Sequence, residues 1–183
     1  NIFSNNEPIK WRIVVWTCWT REIGMLFWSM SGKITVPRDK PGPGNANTYL
    51  GPETRGYFRV LNAFTRDMPV DMRPVTIINT NHNNDVRIGG LGNGKIFALY
   101  IHHWTSHETS VRPQPLMLWT GKGRFRLTWI DPASGDVVRE EEAGTPQQIL
   151  YVSIPPMKID LACRIVRIEE GAVSVEAVKP AAV

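Results

Sequence analysis

The sequence predicts an α/β segment followed by an all-β domain, with residues 1–70 forming the first part and residues 71–183 the second. Three observations predict this. A Trp-rich stretch with near-helical apolar spacing runs straight into a short run that is apolar on both faces. A strongly amphipathic stretch follows Gly51-Pro52-Glu53. From Pro74 onward the apolar period changes to two, in short runs separated by turn residues. A 3.6-residue period puts side chains on one face of a helix, and a two-residue period puts them on one face of a strand.

Glu7-Pro8 reads as a helix start. Proline suits the first turn, and Asn6 or Glu7 sits favourably at the positive end of the helix. Ile9, Ile13, Trp16 and Thr20, with Val14, fall near helical spacing. The β-branched residues leave a strand over 11–16 as the competing reading. Gly24 is the expected helix stop. Met25-Leu26-Phe27-Trp28-Ser29-Met30 lies between Gly24 and Gly32 and reads as a fully buried parallel strand. Residues 31–50 are polar and rich in proline and glycine, so they read as a long surface loop. The helix after Gly51 places Tyr57, Phe58, Leu61 and Phe64 on one face and Arg55, Arg59, Asn62 and Arg66 on the other, and Met68-Pro69 ends it. Helix, buried strand, loop and helix make a piece of a βα repeat, whose lone strand needs neighbours from elsewhere.

The second part predicts strands over 75–79, 85–88, 95–104, 116–119, 124–130, 136–140, 148–153, 159–169 and 173–178. Phe125, Leu127 and Trp129 alternate with Arg124, Arg126 and Thr128. Gly89-Gly90, Gly92-Asn93-Gly94, Gly121-Lys122-Gly123 and Asp131-Pro132-Ala133-Ser134-Gly135 read as turns, the last with glycine at a left-handed position. Many short strands at this spacing predict an antiparallel β-sandwich.

Composition limits the function. The net charge is +4, but the basic residues never gather into a stripe, which argues against nucleic acid as a partner. No stretch reaches the roughly 20 apolar residues that span a bilayer, which argues against a membrane partner. Cys18 and Cys163 have no ligand partners at short spacing and read as buried free thiols in different layers. His102, His103, His107 and Glu108 invite a metal, but adjacent residues of a strand point to opposite faces, so one ion cannot take both His102 and His103. The glycines at 89–94 lie between strands rather than opening a helix, which excludes a phosphate loop, and His82 reads as a turn residue. No serine or cysteine has a nucleophile-elbow context. The sequence therefore implies no metal and no cofactor.

The seven tryptophans are the strongest compositional signal. Trp11, Trp16 and Trp19 read as packing between layers, and Trp119 and Trp129 as sandwich core. Trp28 has two readings: an indole stacking on the apolar face of a sugar ring at the end of its strand, or a core residue beneath the loop. Ser29 and Lys33, with the loop to Asn47, are candidates to line the same cleft. Glu7, taken alone, reads as a carboxylate placed favourably at a helix N-terminus.

Gly24-Met25-Leu26-Phe27-Trp28 resembles the eighth strand of the retaining clan of glycoside hydrolases built on a TIM, or (β/α)8, barrel. Gly56-Tyr57-Phe58-Arg59-Val60-Leu61-Asn62-Ala63-Phe64 resembles their last barrel helix. Phe97-Ala98-Leu99-Tyr100, with Leu127-Thr128-Trp129-Ile130-Asp131-Pro132-Ala133-Ser134-Gly135, is similar to the small C-terminal sandwich fused to such barrels, sometimes labelled a putative collagen-binding domain. The three occur in the same order here. The resemblance implies the last strand and helices of a TIM barrel followed by an antiparallel β-sandwich. It implies a carbohydrate substrate, the remainder of the barrel as covalent continuation or partner chain, and a secreted or periplasmic location. It makes Glu7 the candidate nucleophile at the end of the seventh strand, with the acid/base carboxylate outside this chain. Catalysis would then need the complete barrel. The alternatives are a non-catalytic sandwich that binds carbohydrate or protein, marked by exposed coplanar aromatics on one face, and a subunit of a larger assembly with its Trp-rich helix against a partner.

Overall fold

The computed structural model describes residues 8–25, 51–79 and 85–169. The first element is the helix α1, Pro8–Thr20. The helical reading of this stretch therefore prevails over a strand. Trp11, Arg12, Val15, Trp16 and Thr20 are buried on it. α1 ends differently from expectation: Glu22, not Gly24, takes the left-handed conformation, with φ 53°. The amide of Ile23 donates to the carbonyl of Cys18 at 2.9 Å across that turn. Of the strand expected over 25–30, only Met25 is described; it has no regular secondary structure and packs beside the helical core. The second helix, α2, spans Pro52–Thr65, with Pro52 in its first turn. Tyr57 and Phe64 are buried, while Arg55, Arg59, Asn62 and Arg66 are exposed, as the amphipathic spacing predicts.

Nine strands follow among the described residues: β1 (Arg73–Pro74), β2 (Ile77–Asn79), β3 (Val86–Gly92), β4 (Ile96–His103), β5 (Gln114–Trp119), β6 (Gly123–Ile130), β7 (Val137–Thr145), β8 (Ile149–Ile154) and β9 (Asp160–Glu169). They form a six-stranded sheet, β1-β3-β4-β9-β6-β7, and a three-stranded sheet, β2-β5-β8. All the pairings are antiparallel. The sheets share one core. Phe97, Leu99 and Ile101 of β4, Phe125, Leu127 and Trp129 of β6, and Leu161, Cys163 and Ile165 of β9 meet Leu116 and Leu118 of β5 and Leu150, Val152 and Ile154 of β8. Period-two alternation in each strand supplies exactly one apolar row to this interior. The small sheet closes against the large one along both margins, β2 beside β3 and β8 beside β7.

The two helices cover the opposite face of the large sheet. Ala98 and Tyr100 of β4 and Ala162 of β9 point there, onto Val15 and Trp16 of α1 and Phe64 of α2. This is why the run Phe97-Ala98-Leu99-Tyr100-Ile101 is apolar throughout: β4 is covered on both sides. Trp16 is fully buried, with its ring 5.0 Å from Phe64 and 5.4 Å from Tyr100. A Trp buries about 150–250 Å², which at roughly 25 cal/mol per Å² is about 4–6 kcal/mol. Beyond the helices, Arg124, Arg126 and Thr128 of β6 face Glu142 and Glu140 of β7 in an exposed polar ladder.

Three expectations are corrected. Gly89 and Gly90 do not form a turn; β3 runs through them to Gly92. They are glycine because neighbours come close: a Cβ at Gly89 would lie 2.7 Å from the Thr20 hydroxyl, and one at Gly90 would lie 2.7 Å from the Leu99 side chain. Trp119 is not core: it is 46% exposed on the outer face of the small sheet. Strand β7 runs five residues past the expected end at 140, because Glu141 and Ala143 stay in register with Leu127 and Phe125. Cys18 and Cys163 are both free, the first half-buried on α1 and the second in the sandwich core. The turn at 131–135 forms as read, with Gly135 at φ 85° and its amide donating to the Asp131 carbonyl at 2.7 Å. The strand expected over 173–178 and the loop over 31–50 lie outside the described residues.

Candidate functional site

Glu7, Trp28, Ser29 and Lys33 lie outside the described residues. The described residues hold two other polar and aromatic groupings.

The first is a buried network where the helices meet the sandwich. Arg12 is 3% exposed and Asp160 6%. The guanidinium donates through Nε and Nη2 to the two carboxylate oxygens of Asp160, each at 2.9 Å. The Tyr100 hydroxyl donates to Asp160 Oδ2 at 2.8 Å. The Tyr57 ring lies 4.7 Å from the guanidinium carbon, and the Tyr57 hydroxyl donates to Glu53 Oε1 at 2.5 Å. A planar fork on a carboxylate, backed by an aromatic ring, is the geometry to which arginine is suited. Burial works against the Arg12 charge, but Asp160 and the two tyrosines hold its pKa above the ordinary value. Burial pushes the Asp160 carboxyl up, and Arg12 and the Tyr100 hydroxyl pull back against it. Burial likewise carries the Tyr100 phenol well above its usual range, so it remains a donor.

Sequence reasoning passed over this network. The signal was present: Arg12 is the one charged residue from 11 to 20, and Asp160 opens the apolar run Leu161-Ala162-Cys163. An unexplained charge within an apolar element marks a buried partner.

The second grouping continues along β4. His102 stacks on Tyr100 at 5.9 Å and meets Trp104 edge-on at 6.4 Å, and Arg87 lies over the Trp104 ring at 5.0 Å. Burial lowers the His102 pKa to about 4, with His107, Arg87 and Arg21 pushing the same way against a backbone hydrogen bond at His103. His103 points to the other face. Its Nδ1 is 3.2 Å from the Lys158 carbonyl, and its Nε2 is 3.3 Å from the Thr105 hydroxyl. The strand thus separates the two imidazoles as the alternation rule requires.

Cavities open among the described residues at the C-terminal ends of the helices. One, of about 580 Å³, lies among Cys18, Trp19, Glu22, Met68, Met72 and Leu91. Another, of about 400 Å³, lies beside Thr20, Arg21, Ile77 and Gly89. The Arg12 network lies at the opposite, N-terminal ends of the helices.

A third feature is on the sandwich. Ile78, Met117 and Tyr151 stand in one row across β2, β5 and β8, with Trp119 opposite Ile149 in the adjoining row. Tyr151 is 66% exposed. No helix among the described residues is long and apolar enough to cross a membrane.

No family model matches the chain, and no curated protein matches it. Among solved structures the chain is similar to a glycoside hydrolase, at 12% identity and TM-score 0.47, over 72% of this chain and 28% of the other. It is also similar to a GH30 endoxylanase from Clostridium papyrosolvens, at 10% identity and TM-score 0.49, over 91% of this chain and 40% of the other. A coconut allergen, cocosin, aligns at 17% identity and TM-score 0.19, over 67% of this chain and 36% of the other. The chain spans well under half the length of each of these proteins. Superpositions at this level carry no argument about function.

Proposed function

We propose that this chain is the C-terminal portion of a glycoside hydrolase that acts on poly- or oligosaccharides by a two-carboxylate mechanism. Residues 1–70 would supply the end of a (β/α)8 barrel, and residues 71–183 the sandwich that braces it. The observation that carries this reading is the docking of the helices. α1 and α2 lie together on one face of the sandwich, through Trp16, Tyr100 and Phe64 and a buried Arg12–Asp160 ion pair. In this reading Glu7, immediately before α1, is the nucleophile, and the acid/base carboxylate stands about 5 Å away on the remainder of the barrel. Trp28 offers a stacking face to the sugar, and Ser29 and Lys33 line the cleft. The protein is secreted or periplasmic and needs neither metal nor cofactor. The test is turnover by the full-length gene product on a glycan panel, with the Glu7→Gln variant alongside. No turnover of any glycan ends the reading; full turnover by the variant removes Glu7 from it.

The outer face of the small sheet favours a second reading, a non-catalytic binding module. Trp119 and Tyr151 are diagonal neighbours on adjacent strands and both are exposed. Rings so placed suit a sugar chain lying flat across the strands. Retention on insoluble polysaccharide that is lost in the Trp119→Ala/Tyr151→Ala variant would support this reading, and equal retention would end it.

A further inference from the structure

We infer that Arg12, Tyr57 and Asp160 are positioning residues, which hold the N-terminal turns of α1 and α2 in one fixed placement on the sandwich. The catalytic consequence rests on the hydrolase reading; the placement itself does not.

The network is continuous across three elements. It begins at Glu53, in the first turn of α2, and passes through the Tyr57 hydroxyl and ring to the Arg12 guanidinium, in the second turn of α1. It ends on Asp160, the first residue of β9, which also receives the Tyr100 hydroxyl of β4. The helix starts are therefore tied to each other and to the two central strands of the large sheet. The apolar part of the helix–sandwich contact lies further along the helices, at Val15, Trp16 and Phe64, and past the end of α1 the exposed Arg21 donates to the Ile88 carbonyl at 3.1 Å.

The two kinds of contact do different work. Apolar packing is strong but tolerates sliding, because it has no direction. A bidentate arginine–carboxylate pair adds little net stability once the desolvation of both ions is counted, but it is satisfied in only one geometry. Its place is also informative. In a βα repeat the reacting groups sit on strand ends that lead directly into helix N-termini. Arg12 is five residues after Glu7, and the helix begins at Pro8, directly after Glu7. In the hydrolase reading, fixing this turn would fix the exit of the barrel strand that leads into α1.

The experiment uses the full-length gene product and aryl glycosides as probes, with three forms compared: parent, Asp160→Asn, and the double variant Arg12→Met/Asp160→Leu. The double variant removes both ions and keeps the volume filled. The expected result is that Asp160→Asn lowers both Tm and kcat. The double variant recovers part of the Tm, the rest being the Tyr100 hydroxyl left without its acceptor, while its kcat stays down on the order of tenfold or more with KM nearly unchanged, because a small misplacement of reacting groups acts on the chemical step. Recovery of kcat together with Tm, or an unchanged kcat in Asp160→Asn, overturns the inference. A second measurement is independent of turnover. Spin labels at Lys10→Cys and Val138→Cys, in a Cys18→Ser background, report the distance from the start of α1 to the sandwich. A narrow distribution in the parent that broadens in the double variant supports the placement, and equal widths overturn it. A parent that turns over no glycan but shows the broadening leaves the placement standing and ends the hydrolase reading.

Discussion

The indole of Trp16 lies stacked on the phenol of Tyr100, with centroids 5.4 Å apart and planes 18° from parallel. This pair joins the helical layer to the sandwich, and it separates two contributions that a single substitution would mix. The Tyr100 ring packs against Trp16, while its hydroxyl donates to the Asp160 carboxylate. Tyr100→Phe keeps the stack and removes the donor. A hydrogen bond to a charged group is worth about 1.5–3 kcal/mol, so a loss of that size is expected in urea denaturation. Trp16→Ala removes the stack and opens a cavity, with an expected loss of about 3–5 kcal/mol. Equal losses in the two variants would mean that the hydroxyl matters as much as the whole indole, against the packing described.

Gly89 sets how near α1 approaches the sheet. A Cβ there would stand 2.7 Å from the Thr20 hydroxyl oxygen and 3.3 Å from its Cβ. That hydroxyl is itself held, donating to the Trp16 carbonyl at 2.9 Å. Gly89→Ala therefore has to push the end of the helix away or turn the Thr20 side chain, at a cost of about 1–3 kcal/mol. Thr20→Ala removes the closer of the two contacts. The double variant should accordingly lose less than the sum of the single losses, a non-additivity expected only for residues in contact. Strict additivity in thermal denaturation would rule out this clash.

The same glycines show how much of the fold could be read from residues alone. Amphipathic α2 was legible because Tyr57, Phe58, Leu61 and Phe64 recur at helical spacing with charges between them. Strand β6 was legible because Phe125, Leu127 and Trp129 alternate strictly with polar residues. Such patterns specify a buried face but not the element that covers it. Nothing in β5 or β8 says that they leave the large sheet to form a small one with β2. Gly89 and Gly90 were read as a turn because glycine permits both a turn and a close approach, and only the helix lying over them decides between the two. Trp119 shows a missed parity: Leu116 and Leu118 face inward, so the next residue must face out. Of the candidate site, Glu7, Trp28, Ser29 and Lys33 rested on the motif resemblance and lie outside the described residues. Arg12 was legible as an isolated charge, but its partner lies 148 residues further along the chain, and no local pattern connects them.

Glu22 ends α1 in the left-handed conformation at φ 53°. A side chain there costs about 1–2 kcal/mol relative to glycine. The compensation is small: a 3.6 Å ion pair with Arg73 in which both side chains are well exposed. Glu22→Gly is therefore expected to stabilise the protein by about 1 kcal/mol, seen as a raised Tm. A lowered Tm would mean that the Arg73 contact outweighs the backbone strain.

The packing of His102 predicts a dependence on pH. Its pKa is lowered from the ordinary 6.5 to about 4, first by burial and then by His107, Arg87 and Arg21, against a backbone hydrogen bond at His103. Above pH 6.5 the imidazole is neutral in both folded and unfolded chains, and its contribution to stability is fully present. Between pH 6.5 and 4 the unfolded chain takes up a proton that the folded chain refuses, so stability falls as the pH falls. The limiting slope for one such group is about 1.4 kcal/mol per pH unit, and partial contact with solvent makes it shallower here. Below pH 4 both states are protonated and the loss levels off. Carboxylates titrate in the same range, so the measurement is a difference: urea denaturation of parent and His102→Gln from pH 7.5 to 3.5. The variant should be closer to the parent at pH 4 than at pH 7, because it lacks the proton-linked loss. Parallel curves across that interval would show that His102 takes up its proton equally well folded or unfolded, and that the ring is not held neutral by its packing against Tyr100.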